Sequence, residues 1–444
     1  MWPQLNNRLL NYAIPLLLYC IMLQYEGMYE YNKMCGIRSE QSRNRRKKVR
    51  VRWDDISQRM GDYQFRRMFR MTRECFSSLC QSIIGAIGES KFKSQHYIDA
   101  FLSSTNIYNA HVLTTGGYIS GEVKLAITIR LLAGGDALDL AIIFDIYPSY
   151  LQIIMKDVLA NWIIQPNIGK IDMLKYLNNF EDMSKVSKGF AVRSNGVLKG
   201  CIGAIDGWLV KIVRPCSWWD GLINPVPFYS RKGYYALNVQ CIVDDRKKVL
   251  WAMYNNKGAS HDSTCFKKSH LYTILKGMSD YLYERGLFIL GDSAYAIESF
   301  LLPPYDSPLS QSPEDNYNFF HSSQRITVEC AFGEIDLRWG IFWKRLWNSV
   351  DTSIMICEGA MHLHNFLVEY RDAHDIDYNF EHNVFENDCS DNGFTSEVVG
   401  NDGIRPRMGR RSSTDEVSRQ KGLQLRDKLR QAIYEHDMVR PRKT

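Results

Sequence analysis

The sequence predicts an α/β protein in which a mixed sheet flanked by helices follows an N-terminal helical domain. Three stretches carry that reading. Residues 200–213 are an apolar, β-branched run of the kind that forms a buried strand, with one carboxylate, Asp206, at its centre and Gly207 directly after it. Residues 286–293 are a second apolar run, ending in Asp292 at a glycine turn. Residues 322–333 read as a helix with Glu329 on its first turns.

Burying an unpaired carboxylate costs roughly several kcal/mol, so an acid at the centre of a buried strand needs an arginine, backbone amides or a metal ion beside it. Acids at two strand ends and on one helix point to the metal, and to a divalent-metal nuclease.

The chain has 444 residues, room for two or three domains and a sizeable core. Its 11 cysteines are scattered without a Cys-x-x-Cys pair, which argues against a disulfide framework or zinc ribbon and for a reducing compartment. The net charge is +6, but seven cations fall between Arg43 and Arg52, and twelve Lys/Arg against five acids lie in 405–444. The middle is therefore net acidic, and the basic ends suit a polyanion or a transport signal.

Residues 1–52 form a leader and basic segment. Leu9 to Leu23 is largely apolar, but its 15 residues fall short of the roughly 20 that a membrane helix needs. A buried helix or leader is one reading and a membrane anchor the other. The 43–52 cluster reads as a nuclear import signal or phosphate-binding arm, against a solvated tail, and a nuclear location is expected.

Residues 53–195 are expected to form the helical domain. Phe65, Met68, Phe69, Phe76, Leu79 and Cys80 recur at helical spacing. A helix capped by Ser120, a short helix from Asp136 to Phe144, a turn at 145–149 and a helix from Tyr150 to Trp162 give helix-turn-helix order over 120–162. A plain packing bundle is the alternative, because Lys156 is the only basic residue on the last helix.

Residues 196–371 carry the chemistry. Strands at 200–213, 236–243 and 248–254 follow in meander order. A helix opens after Ser260-His261-Asp262-Ser263, a fourth strand spans 287–291, and a helix from Ser323 to Gly340 turns Val328, Phe332, Ile335 and Trp339 inward. Three antiparallel strands, a helix and a further strand is RNase H-like order, which sets the first-strand acid beside the fourth-strand acid.

Six blocks in this order, Gly203-Ala204-Ile205-Asp206-Gly207, Arg231 to Gln240, Ser260 to Ser263, Leu290-Gly291-Asp292-Ser293, Val328 to Gly333 and Leu363-His364-Asn365-Phe366, resemble the PIF/Harbinger transposases and their domesticated nuclease relatives over residues 65–370. The resemblance implies a DDE triad at Asp206, Asp292 and Glu329, and a further metal ligand at Asp262. It also implies a separate Myb/SANT-like DNA-binding partner. Trp208, Ala294 and Ala296 depart from the family pattern; they bear on the shape of the substrate channel and leave the acids intact.

Hydrolysing a phosphodiester needs an activated water and a stabilised leaving oxygen, which two Mg²⁺ ions about 3.5–4 Å apart supply together. Mg²⁺, with Mn²⁺ able to substitute, takes carboxylate oxygens and leaves positions open for phosphate. Asp206 is expected to bridge the ions, with Asp292 and Glu329 completing one each. Asp262 is an outer ligand or a cap of its own helix. His261 orients a carboxylate or serves as a base. Arg231, Lys232, Lys156 and Arg325 are candidate phosphate contacts, Arg231 and Lys232 having a solvated turn as their alternative. No organic cofactor is expected; DNA is the partner, met by a homo-oligomer.

Residues 372–404 hold nine acids and no Lys or Arg, an acidic linker. In 405–444, Arg405 to Arg411 and a short helix through Val417, Leu423, Leu425 and Leu429 could act as an import signal, a DNA clamp or a docking helix. Two functions stay open: a transposase that cuts element ends and joins its 3′-hydroxyls to target DNA, and a domesticated descendant, either a nuclease without transposition or a binding protein.

Overall fold

Strand β1, Cys201–Lys211, is the centre of a five-stranded sheet. Strands β2 (Ala236–Val243) and β3 (Val249–Lys257) extend it on one side, and β4 (Phe288–Leu290) and β5 (Leu301–Leu302) on the other, in the order β3-β2-β1-β4-β5. The β1–β2 and β2–β3 pairs are antiparallel, and the β1–β4 and β4–β5 pairs are parallel. This is the arrangement of an RNase H-like core. The structure is a computed structural model that describes residues 51–88, 119–165, 168–194, 196–221, 224–374 and 413–441. The apolar segment 9–23, most of the basic cluster 43–52, nearly all of the acidic linker and the Arg405–Arg411 block lie outside the described residues.

Eight helices are described before the sheet: α1 Trp53–Gln58, α2 Asp62–Phe69, α3 Arg73–Gly88, α4 Gly121–Leu132, α5 Ala137–Ile143, α6 Pro148–Ile163, α7 Met173–Leu177 and α8 Phe180–Arg193. Ser120 caps α4 as the sequence suggests, accepting from the Val123 amide, and Asp136 caps α5. Helices α5 and α6 meet at 95°. Their outer face is mixed, exposing Leu138, Ile142, Tyr150 and Ile153 together with Asp139, Gln152 and Lys156. Asn161 is turned back onto Asp157 of its own helix.

After β1 come a short helix α9 (Ser217–Asp220), then α10 (Asp262–Lys267), α11 (His270–Gly277) and α12 (Ser279–Glu284). The sequence suggests one helix here; Ser269 caps α11 and divides it. Helix α13, Pro313–Arg338, begins ten residues before Ser323, where Ser312 caps it and Pro313 takes the first turn. Helix α14 is Val350–Ala373, and α15, Ser413–Glu435, is far longer than a short tail helix.

The two faces of the sheet differ. Ala204, Cys241, Val243 and Leu290 join a core shared with the N-terminal helices, α13 and α14. Ile205, Ile242 and Ile289 face a second cluster with Met173, Leu177, Phe266, Leu271 and Leu282. Side chains alternate along a strand, so Asp206 belongs to the α13 face and Gly207 to the α10 face.

Helix α15 packs on α13, α12 and β5. Leu425, Leu429 and Ile433 are buried, Arg430 pairs with Glu314, and Arg440 pairs with Asp315 at 2.7 Å. Arg426 covers the Tyr305 ring at 3.9 Å. A Cβ at Gly422 would run into the Glu298 carbonyl, so glycine allows this close approach. These contacts dock the helix onto the body of the protein.

Candidate active site

Register brings the first two acids together. Ala204 on β1 pairs with Leu290 on β4, so Asp206 and Asp292, each two residues further on, stand side by side, Asp206 midway along β1 and Asp292 just past the end of its parallel neighbour β4. Asp206 Oδ1 accepts from the Gly207 amide at 2.7 Å, and Asp292 Oδ1 from the Ala294 amide at 2.9 Å.

The third acid arrives on α13 through a cation. Arg325 donates from Nη1 to Asp206 Oδ2 at 2.8 Å and from Nη2 to Glu329 Oε1. Arg325 and Glu329 are four residues apart, which puts both on one helix face. The Asp206 side chain is 17% exposed and that of Glu329 47%, so the constellation runs from the sheet out to solvent.

The electrostatics follow from the crowding. Burial, then Asp292, pushes Asp206 up to about 7, against the pull of Arg325 and the Gly207 amide. Burial also raises Asp292, with Asp262 adding to the rise; the Ala294 amide, Arg325 and Arg231 oppose it. One guanidinium therefore undercompensates a pair of enclosed carboxylates.

Asp262 reaches the site from the other side of the sheet. Its Oδ1 accepts from Asn238 Nδ2 and Gln240 Nε2, both at 2.8 Å. A Cβ at Gly207 would strike that oxygen and come within 2.6 Å of Gln240 Nε2, so the glycine after Asp206 is required for Asp262 to fit. The Tyr295 hydroxyl donates to Gln240 Oε1 at 2.6 Å, and Gln240 Nε2 donates to Asn238 Oδ1 at 2.8 Å. That chain fixes both amides with their donors towards Asp262. Asp262 is the first residue of α10 and does not cap it; His261 holds the cap position with no side-chain cap bond and is exposed.

The other candidates divide. Arg325, expected to meet phosphate, is turned inward onto the acids. Arg231 and Lys232 are exposed in the turn before β2, with Arg231 near enough to Asp292 to favour its ionised form. Lys156 is exposed on α6, which packs chiefly against α4 and α14 and not against the strands bearing the acids. Trp208 stacks on Phe332 at 5.7 Å and meets Phe342 edge-on at 4.9 Å, wedging α13 against β1.

Asn238, Gln240 and Tyr295 were not read as site residues from the sequence. A signal existed: two amides at alternate positions on a fully buried strand need a common partner on one sheet face.

Among the described residues no three His, Cys, Asp or Glu side chains stand ready to ligate one ion. Asp206 and Asp292 still fit a hard divalent cation, being adjacent carboxylate oxygens whose charge is only partly offset.

Residues 205–365 match the model for the family described as DDE superfamily endonuclease. Over 352 residues, 72% of this chain and 75% of the relative, the sequence is 24% identical to "Protein ALP1-like" of Arabidopsis thaliana. No solved structure matches the chain. The two matches bear out the resemblance carried by the six sequence blocks.

Proposed function

We propose, from a chain that carries a DDE superfamily endonuclease domain of the Harbinger-type, transposase-derived kind, that this protein is a metal-dependent DNA endonuclease with Asp206, Asp292 and Glu329 as its catalytic acids. The observation that carries the reading is the placing of Asp206, in mid-β1, beside Asp292, just past the end of parallel β4, joined to Glu329 through Arg325. Asp206 and Asp292 would hold a divalent cation, with Glu329 beside them. When bound, Mg²⁺ or Mn²⁺ lowers the pKa of a water and stabilises the leaving oxygen. The chain's own part is to hold two carboxylates in register, to set Asp262 under Gly207 through Asn238 and Gln240, and to offer Arg231 near the scissile phosphate.

Two metals and strand joining extend the same reading, as do a nuclear address from the 43–52 cluster, a homo-oligomer on DNA and a Myb-like partner for end recognition. The partner is supported by the scarcity of cations on α6: duplex readout draws on Arg, Lys, Asn and Gln at base edges, and of these types α6 exposes only Gln152 and Lys156.

The test is cleavage of element-end DNA by purified protein in Mg²⁺ or Mn²⁺. Asp206→Asn, Asp292→Asn and Glu329→Gln are each expected to abolish it. Wild-type cutting by any one of them assigns that acid a structural role.

A further inference from the structure

Three segments distant in sequence meet at the far end of β1. The Ile212 amide donates to the Tyr235 carbonyl at 2.9 Å, the Leu346 amide to the Lys211 carbonyl at 2.9 Å, and the Val213 amide to the Leu346 carbonyl at 3.1 Å. Tyr229 bridges back to Tyr235. Residues 211–214, 229–235 and 344–347 are thus one surface, anchored by buried Ile212 and Leu346.

Its composition is one-sided. The three segments contain six cations, Lys211, Arg214, Arg231, Lys232, Lys344 and Arg345, and no Asp or Glu. All six are exposed and none is in a salt bridge among the described residues, although Asp336 of α13, half-buried, lies near Lys211 and Tyr234. In their midst Trp347 is 73% exposed, its ring without an aromatic partner among the described residues, and Tyr229 is 50% exposed. Chance surface charge carries both signs; three separate segments of one sign around an uncovered indole make a built feature. Five residues of β1 separate Lys211 from Asp206, about 17 Å at roughly 3.3 Å per residue. That is about five base-pair steps of duplex rise, and fewer nucleotides of an extended single strand. Arg231 links the surface to the acids through its effect on Asp292.

We infer that this ledge binds the DNA strand flanking the cut in single-stranded form, with an unpaired base stacked on Trp347 and the cations following its phosphates. Stacking needs an open base face, which a duplex interior does not offer, and cations with exposed aromatics are how proteins hold single strands. The inference rests on the endonuclease reading for its substrate, and its test does not need cleavage.

The full-length protein is titrated in EDTA with a fluorescein-labelled 20-nucleotide single strand and with the matching duplex. Trp347→Ala is expected to weaken the single strand about tenfold and the duplex less than twofold, with Trp347→Phe restoring most of the loss. Arg214→Ala with Arg345→Ala weakens both ligands and lowers the salt slope for the single strand by about 1.4, near 0.7 for each phosphate no longer neutralised. Wild-type single-strand affinity in a folded Trp347→Ala protein overturns the inference. Displacement of the strand by polyglutamate at equal charge also overturns it, in favour of an acidic polypeptide. Tight, Trp347-dependent binding by a protein that does not cut in Mg²⁺ leaves the ledge standing and removes the endonuclease reading.

Discussion

Arg325 and Asp206, 119 positions apart, form a 2.8 Å ion pair in which Arg325 also holds Glu329. Both partners are largely enclosed, with side chains 16% and 17% exposed. Breaking such a pair leaves a desolvated carboxylate behind. Arg325→Gln is therefore expected to lower stability by about 2 kcal/mol at neutral pH. Adding Asp206→Asn should recover much of that loss, because the uncompensated charge goes with it. Urea unfolding of the two singles and the double checks the cycle; additive losses would show that the pair is not coupled.

Gly207→Ala introduces a methyl group where Asp262 Oδ1 lies. The expected cost is about 1–3 kcal/mol, as for other overpacked sites. Asp262→Ala in the same chain should relieve most of it. A Gly207→Ala protein as stable as wild type would mean that Asp262 moves away without penalty.

Tyr295→Phe removes one hydroxyl from a side chain buried to 3% exposure and leaves Gln240 Oε1 unpaired. A loss of about 1–3 kcal/mol is expected. Because the Gln240 amide is then free to turn, its Nε2 no longer has to face Asp262. Cleavage in Mg²⁺ should fall together with stability, and an unchanged Mg²⁺ requirement would separate this chain of bonds from the acids.

His321 is buried, bonded through Nε2 to the Leu302 carbonyl at 2.9 Å, and burial pushes its pKa down to about 4. Between pH 6.5 and about 4 the folded protein thus binds fewer protons here than the unfolded chain. The contribution is complete above pH 6.5 and is lost as pH falls through that window, about 3 kcal/mol in all. His321→Gln keeps a donor for Leu302 and does not titrate. The stability difference between wild type and variant should therefore shrink by that amount from pH 7 to pH 4. Asp244, raised to about 6 by burial, slopes the opposite way but is common to both proteins.

Ile433 on α15 is fully buried. Ile433→Ala should destabilise the protein by about 2–4 kcal/mol, whereas exposed Lys428→Ala should be neutral. Equal, negligible effects in thermal unfolding would mean that the C-terminal helix does not depend on docking.

The sequence by itself determined four of the five strands and the neighbourhood of Asp206 and Asp292, but not the edge strand β5. Alternation and β-branching mark β1 and β2, glycine turns mark where the strands stop, and a carboxylate inside an apolar run announces itself because it has no reason to be there otherwise. Ser120 was legible as a cap for the same local reason. The start of α13 at Pro313 was not: its opening turns are polar, and burial of Asp315, Asn316 and Tyr317 depends on α15 and on Tyr305, which lie far along the chain or in a loop. Only tertiary structure decided that Arg325 turns inward, that Asp262 meets the sheet from the face opposite Asp206, and that Lys211, Arg231 and Arg345 share one surface. Each joins residues tens to more than a hundred positions apart. Local propensity carries no information about such pairs, because the partner that sets the free energy of each arrangement is supplied by another element.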